Sequence, residues 1–379
     1  MNELIAKLKE KSTPPWNFAF FMNTALYDPE AGYYTNNRLK LGKEGDFYTS
    51  NHVHPVFAET FARFFSDVFV KEKIQTAICE QGAGDGAFAY HTLSYLNREK
   101  PHVFKDLRYY IIESSPYHQR ILLNRLDEFK ERVEIYASLG DLKEKVTHFD
   151  GIFFSNELLD AFPVHIVEQS EEGLKEVYVE PVNSSLHEKV LPCRNEEVIN
   201  WITTFGPDLP PGFRTEVSLE MENWIRETAG WIDKGMLVTV DYGYRNEELI
   251  RPERKEGSIR GYYKHEMVND PLKRPGEMDL TSHIPWDAYE KIVSEEGLNF
   301  VCHERQDHFL LKAGLFSFLK EPSEMNPFSE EFKKNRAIQS LVHPGGISSS
   351  FQVNIYGRNL KEAENYSLFH EDPYQIKKP

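Results

Sequence analysis

The sequence predicts an α/β protein built on a doubly wound parallel sheet, and two observations carry that expectation. From residue 74 onward, short apolar runs alternate with segments of helical spacing, which is the pattern of successive βαβ units. Inside that alternation, residues 78–93 read ICEQGAGDGAFAYHTL, with Gly82, Gly84 and Gly86 between a strand and a helix. Such a strand-to-helix turn lets a ligand approach the backbone. At 379 residues the chain is long enough for one large α/β core with added elements, or for two domains.

The elements follow in order. Residues 1–70 read as an N-terminal helical cap: Leu4, Ile5 and Leu8 make an amphipathic start, Pro14 and Pro15 stop it, and 56–69 is an aromatic-rich helix. Residues 71–163 form the first half of the core. They hold a strand ending at Glu80, a helix at 87–97, a strand at 109–113, a helix at 116–130, and strands at 133–137 and 151–155. The alternation then breaks. Residues 164–230 read as an α+β insertion, with a hairpin around Glu171, Glu172 and Gly173 and a helix over 217–233. The second half of the core, 231–357, resumes with a strand at 236–240, a helix at 285–296 and strands at 298–302 and 351–356. Residues 358–379 read as a polar tail.

Composition narrows the function classes. The net charge of -16 argues against nucleic acid, whose phosphates need clustered Lys and Arg. No apolar run approaches the roughly 18 residues of a spanning helix. Cys79, Cys193 and Cys302 are far apart and form no C-x-x-C pair, so neither a disulfide framework nor a metal site is expected. A reducing compartment fits. The N-terminus lacks the features of a signal or transit peptide, and the expected location is cytoplasmic.

The glycine turn also satisfies G-x-G-x-x-A, a permitted dinucleotide fingerprint, so a nicotinamide or flavin oxidoreductase is the first rival. Its flanks favour another ligand. Glu80 and Asp85 are carboxylates at the mouth of the turn, where a pyrophosphate would meet repulsion. S-adenosylmethionine has no phosphate and carries a sulfonium and an ammonium. Glu80 is then the candidate for the ammonium, and Glu113, at the end of the next strand, for the ribose hydroxyls, or else a carboxylate at a helix start. Ser138, Leu139 and Asp141, after the third strand, are candidates for an adenine slot, although Asp141 could equally cap a helix.

The acceptor chemistry is expected after the fourth strand, in SNELLDAFP at 155–163. Glu157 and Asp160 are three apart, so on a helical turn they would share a face, with Asn156 as N-cap. Two such carboxylates could hold a guanidinium and orient one nitrogen for attack on a methyl group. Asp241, Asp279 and His283 are further candidates to line the substrate pocket.

Five motifs in order, GDFYTS (45–50), ExGxGDG (80–86), SNELLDAFP (155–163), DYG (241–243) and PGEMDLTSH (275–283), resemble the MidA family of S-adenosylmethionine-dependent methyltransferases over about residues 20–356. The resemblance implies a seven-stranded Rossmann-like methyltransferase sheet. It also implies a mitochondrial branch that assembles respiratory complex I by dimethylating an arginine of a partner subunit, and it makes Thr49 and Ser50 expected cofactor contacts. The expectation is therefore a methyltransferase acting on a protein arginine. Two rivals are an assembly protein with the same fold and little catalysis, and a methyltransferase for a small molecule.

Overall fold

The structure is a computed structural model describing residues 3–35, 54–264, 266–321 and 326–370. The chain forms two compact units, each assembled from separated stretches.

The first unit runs from helix Val56–Glu72 to Asn156 and adds Ala229–Asp241 and the described residues from Gly297 onward. Its sheet contains β1 (Ala77–Gln81), β2 (Arg108–Ile112), β3 (Val133–Tyr136), β4 (Phe149–Asn156), β5 (Ile232–Tyr244), β6 (Asn299–Arg305) and β7 (Phe351–Arg358). The spatial order is β3-β2-β1-β4-β5-β7-β6. Strands β1 to β5 are linked by parallel pairings, and β6 and β7 pair antiparallel. The seven expected strands are present, and a short eighth that was not expected, Ile284–Pro285, pairs in parallel with the end of β5. Because β2 lies on one side of β1 and β4 on the other, the carboxyl end of β1 is a topological switch point, where open α/β sheets bind ligands.

One face of this sheet is built from alternate residues, among them Ile78, Tyr109, Ile111, Ile152, Phe154, Val238 and Val353. Helix Val56–Glu72 covers it with Phe57, Phe61, Phe64 and Phe65, at the spacing of a single helical stripe. Phe88 stacks on Phe154 with ring centroids 4.2 Å apart, and Phe61 on Phe309 at 5.0 Å. Such pairs add about 0.5–1.5 kcal/mol each beyond simple burial. This helix, expected in the N-terminal cap, therefore belongs to the sheet unit. The chain after Arg358, expected as a polar tail, is packed through its described part: Tyr366 and Leu368 are buried, and Glu72 accepts hydrogen bonds from the Lys361 and Glu362 N–H groups and the Tyr366 hydroxyl.

The second unit combines the N-terminal helices with Glu157–Thr228 and Tyr242–Glu296. The hairpin expected near 171–173 is made by His165–Ser170 and Gly173–Val182. The sheet around it has five strands, with Ser185–Pro192, Arg214–Val217 and, from the N-terminal segment, Trp16–Asn17. Helix Glu196–Phe205 was not expected; Val198, Trp201 and Phe205 are its buried stripe. A second, three-stranded sheet joins Arg260–Tyr263 to Glu266–Val268 and Asp279–Thr281. Leu4, Ile5 and Leu8 pack into the core of this unit with Phe18, Phe21, Ile166, Val177 and Leu280. No helix among the described residues is long and apolar enough to cross a membrane.

Candidate active site

The glycine turn follows β1 and opens helix Ala87–Glu99. Gly82, Gly84 and Gly86 have φ of +77°, +54° and +78°, the left-handed region in which a side chain is strained. At Gly86 a Cβ would also come within 2.6 Å of Leu122 Cδ2. The N–H groups of the three glycines are already engaged: Gly82 donates to the Ile112 carbonyl, Gly84 to Glu113 Oε2 at 3.0 Å, and Gly86 to the Ala83 carbonyl. A pyrophosphate seeking those glycine donors would have to displace their present partners.

Three carboxylates surround the turn, and their environments differ. Asp85 accepts a hydrogen bond from the Ala87 N–H and forms an ion pair with Arg125 at 2.7 Å. Its charge is compensated inside the protein, which removes much of the repulsion that the sequence suggested. Glu113 follows β2 and also accepts from the Ser115 N–H at 2.8 Å. Glu80 is buried, and its partner is the Tyr109 hydroxyl at 2.6 Å. Burial pushes the Glu80 carboxyl up to about 8; the Tyr109 hydroxyl opposes the shift, and the charges of Asp85 and Glu113 add to it. At the end of β3, Ser138 caps helix Leu139–Lys143 by accepting from the Asp141 N–H, and Leu139 is buried. Glu80 near the end of β1, Glu113 just after β2, and Ser138 with Leu139 just after β3 thus lie at the carboxyl ends of three neighbouring strands.

Asn156 ends β4, and Asp241 lies within the neighbouring β5, one residue beyond Val240, the register partner of Asn156. The expected helical turn after β4 is absent. Asn156 is the last strand residue and not a helix N-cap, Glu157 has φ of +52°, and only Leu159–Ala161 form a short 3-10 turn. Three-residue spacing puts side chains on one face only while the backbone stays right-handed helical, so Glu157 and Asp160 share no helical face. The left-handed conformation costs a residue such as Glu157 roughly 1–2 kcal/mol.

In the second unit, Asp160 and Asp279 are both buried, and each is held by a tyrosine. Tyr242 donates to Asp160 Oδ2 at 2.7 Å, and the Tyr34 hydroxyl lies 2.9 Å from both oxygens of Asp279. The Ser282 N–H donates to the Asp160 carbonyl, which ties the two segments together. Burial raises the Asp160 carboxyl to about 6, against the hydrogen bonds from Tyr242 and the backbone. His283 stacks on Tyr244 at 4.5 Å and meets Tyr242 edge-on at 5.0 Å. Burial, reinforced by Arg260 and Arg254, lowers it to about 4, so the imidazole is neutral. Thr49 and Ser50 lie outside the described residues.

Residues 56–303 match the family described as "Putative S-adenosyl-L-methionine-dependent methyltransferase". The chain is a MidA-family S-adenosylmethionine-dependent methyltransferase. It is similar to the mitochondrial protein arginine methyltransferase NDUFAF7 of Xenopus laevis, with 25% identity over 78% of this chain and 70% of that protein. The zebrafish protein of the same name (Danio rerio) is 23% identical over 90% and 83% of the two chains. A crystal structure from Burkholderia thailandensis, bound to S-adenosyl-homocysteine, superimposes with a TM-score of 0.84 at 25% identity, covering 97% of this chain and 94% of that one.

The cradle of this methyltransferase fits its cofactor. A phosphate-free ligand needs none of the engaged glycine N–H groups, and a cationic one suits the buried carboxyl of Glu80. Sequence reasoning missed Tyr34, Tyr109, Arg125 and Tyr242, which are hydrogen-bond or ion-pair partners of the acids it found. Tyr242 alone had a local signal, since it follows Asp241 near a strand end.

Proposed function

We propose that this methyltransferase modifies an arginine side chain presented by a partner protein. The observation that carries this reading is the pair of buried, tyrosine-held carboxylates Asp160 and Asp279, in a cluster whose histidine is neutral. Such a cluster has carboxylate acceptors for a planar cation with five N–H donors. The names of the curated relatives support the same acceptor. A respiratory-complex subunit as partner rests on the family resemblance alone.

When bound, S-adenosylmethionine supplies an electrophilic methyl group on a sulfonium. The protein has to hold one guanidinium nitrogen in line, a positioning effect that can reach about 7–11 kcal/mol. Free arginine keeps its proton until pH above about 12, so the site must localise the charge and take a proton as the new N–C bond forms. Asp160, raised to about 6, is ionised at neutral pH yet binds a proton more readily than an exposed carboxylate. Glu157, held in a strained backbone conformation, is the second carboxylate assigned to orienting the guanidinium, next in the chain to Asn156. Asp279 and His283, in the same unit as Asp160, are assigned to contacts with the acceptor.

The test is incubation of the purified protein with labelled S-adenosylmethionine and a proteome from cells lacking it, followed by mass spectrometry. Label on arginine of a discrete protein is expected, with turnover abolished and cofactor affinity near normal in Glu157→Gln. Label confined to lysine, to small molecules or to nothing overturns the arginine reading.

A further inference from the structure

The three acids around the glycine turn divide by what compensates them. Asp85 has the Arg125 guanidinium at 2.7 Å, and Glu113 has the backbone N–H groups of Gly84 and Ser115. Glu80 has neither. Among the described residues its partner is one neutral hydroxyl, that of Tyr109, and it is 4% exposed. The other titratable groups around it are Cys79 on its own strand, Tyr109 on β2, and the carboxylates Asp85 and Glu113, so among the described residues nothing cationic faces it directly. A buried carboxylate with one neutral donor and two acidic neighbours is more stable protonated.

We infer that Glu80 is uncharged in the ligand-free protein and gives up its proton to solvent when the ammonium of the cofactor's methionine moiety arrives, so that cofactor binding is proton-coupled. No bond other than O–H is broken: the carboxyl loses its proton, and the carboxylate left behind pairs with the ammonium. The coupling depends on the amino-acid end of the ligand and not on its sulfur, so substrate and demethylated product share it. It is also independent of the acceptor, and stands whether or not arginine is the methylated group.

Binding calorimetry of the whole protein with S-adenosylhomocysteine, in two buffers of different ionisation enthalpy, counts the protons released. With the Glu80 carboxyl near 8 in the free protein, about one proton per ligand is expected at pH 6.5. Apparent affinity should rise about tenfold per pH unit between about 6 and 7.5. Methylthioadenosine, which keeps the adenosine and thioether but has no ammonium, should release none. Glu80→Gln should bind more weakly, with no proton release and no pH dependence. In Tyr109→Phe, loss of the hydroxyl that favours the ionised form should move the affinity plateau to higher pH, which a merely structural role of Tyr109 would not do. The inference is overturned if the unsubstituted protein releases no proton, if methylthioadenosine releases as many as S-adenosylhomocysteine, or if release persists in Glu80→Gln.

Discussion

Replacing Tyr242 with phenylalanine removes one oxygen, the donor 2.7 Å from Asp160 Oδ2, and leaves the ring that packs edge-on against His283. A hydrogen bond to a charged group contributes about 1.5–3 kcal/mol, and 1.36 kcal/mol corresponds to one pK unit. The hydroxyl stabilises the ionised form, so its loss should raise the Asp160 carboxyl by about 1–2 units, from about 6 to about 7–8. In the proposed mechanism only ionised Asp160 holds the guanidinium and accepts its proton, so activity falls as pH drops through this value. The acid limb of kcat/KM should therefore lie near pH 6 in the unsubstituted enzyme and move up by about 1–2 units in Tyr242→Phe. At pH 7 the variant should lose activity several-fold and recover most of it by pH 9. The assay is a pH profile of methyl transfer with saturating cofactor, with S-adenosylhomocysteine binding as a control for folding. An acid limb that stays in place while cofactor binding is normal would refute the assignment of Asp160 as the titrating acceptor.

Two other substitutions test the supports of the site. Gly86→Ala forces a left-handed conformation on alanine, costing about 1–2 kcal/mol, and brings its methyl group against Leu122. Denaturant unfolding should show a loss of at least that size together with weaker S-adenosylhomocysteine binding, and an unchanged midpoint would mean that the turn relaxes freely. Glu72→Gln leaves the three donors from Lys361, Glu362 and Tyr366 imperfectly matched. A loss of about 1–3 kcal/mol is expected, with earlier protease cleavage beyond Arg358; an unaltered melting temperature would show that this contact contributes little.

What could be read in the sequence was what neighbouring residues encode. The strands of the sheet were legible because buried parallel strands are short apolar runs, and the turn because three glycines at alternate positions have few other uses. Glu113 was legible by its place at a strand end. The hydrogen-bond partners of the site's acids were not, because they lie far away along the chain: Tyr34 lies 245 residues before Asp279, and Tyr242 82 after Asp160. The misreading of Glu157 and Asp160 has a different origin. Spacing reports a shared face only when the backbone conformation is known, and nothing in NEL announces a left-handed residue. Asp85 was overweighted for a related reason, since Arg125 sits 40 positions further on.

The place of β7 in the sheet has a consequence for how the protein is made. The ribosome delivers this strand after strands β1 to β6, yet it takes an interior position between β5 and β6. Until residues 351–358 have emerged, β5 lacks its β7 partner and β6 has no neighbour, so the nascent sheet stays incomplete up to that point. Trimming the chain back to residue 350 would leave a gap inside the sheet. A stalled or shortened product should accordingly be a client for chaperones and proteases, whatever the integrity of its cofactor turn.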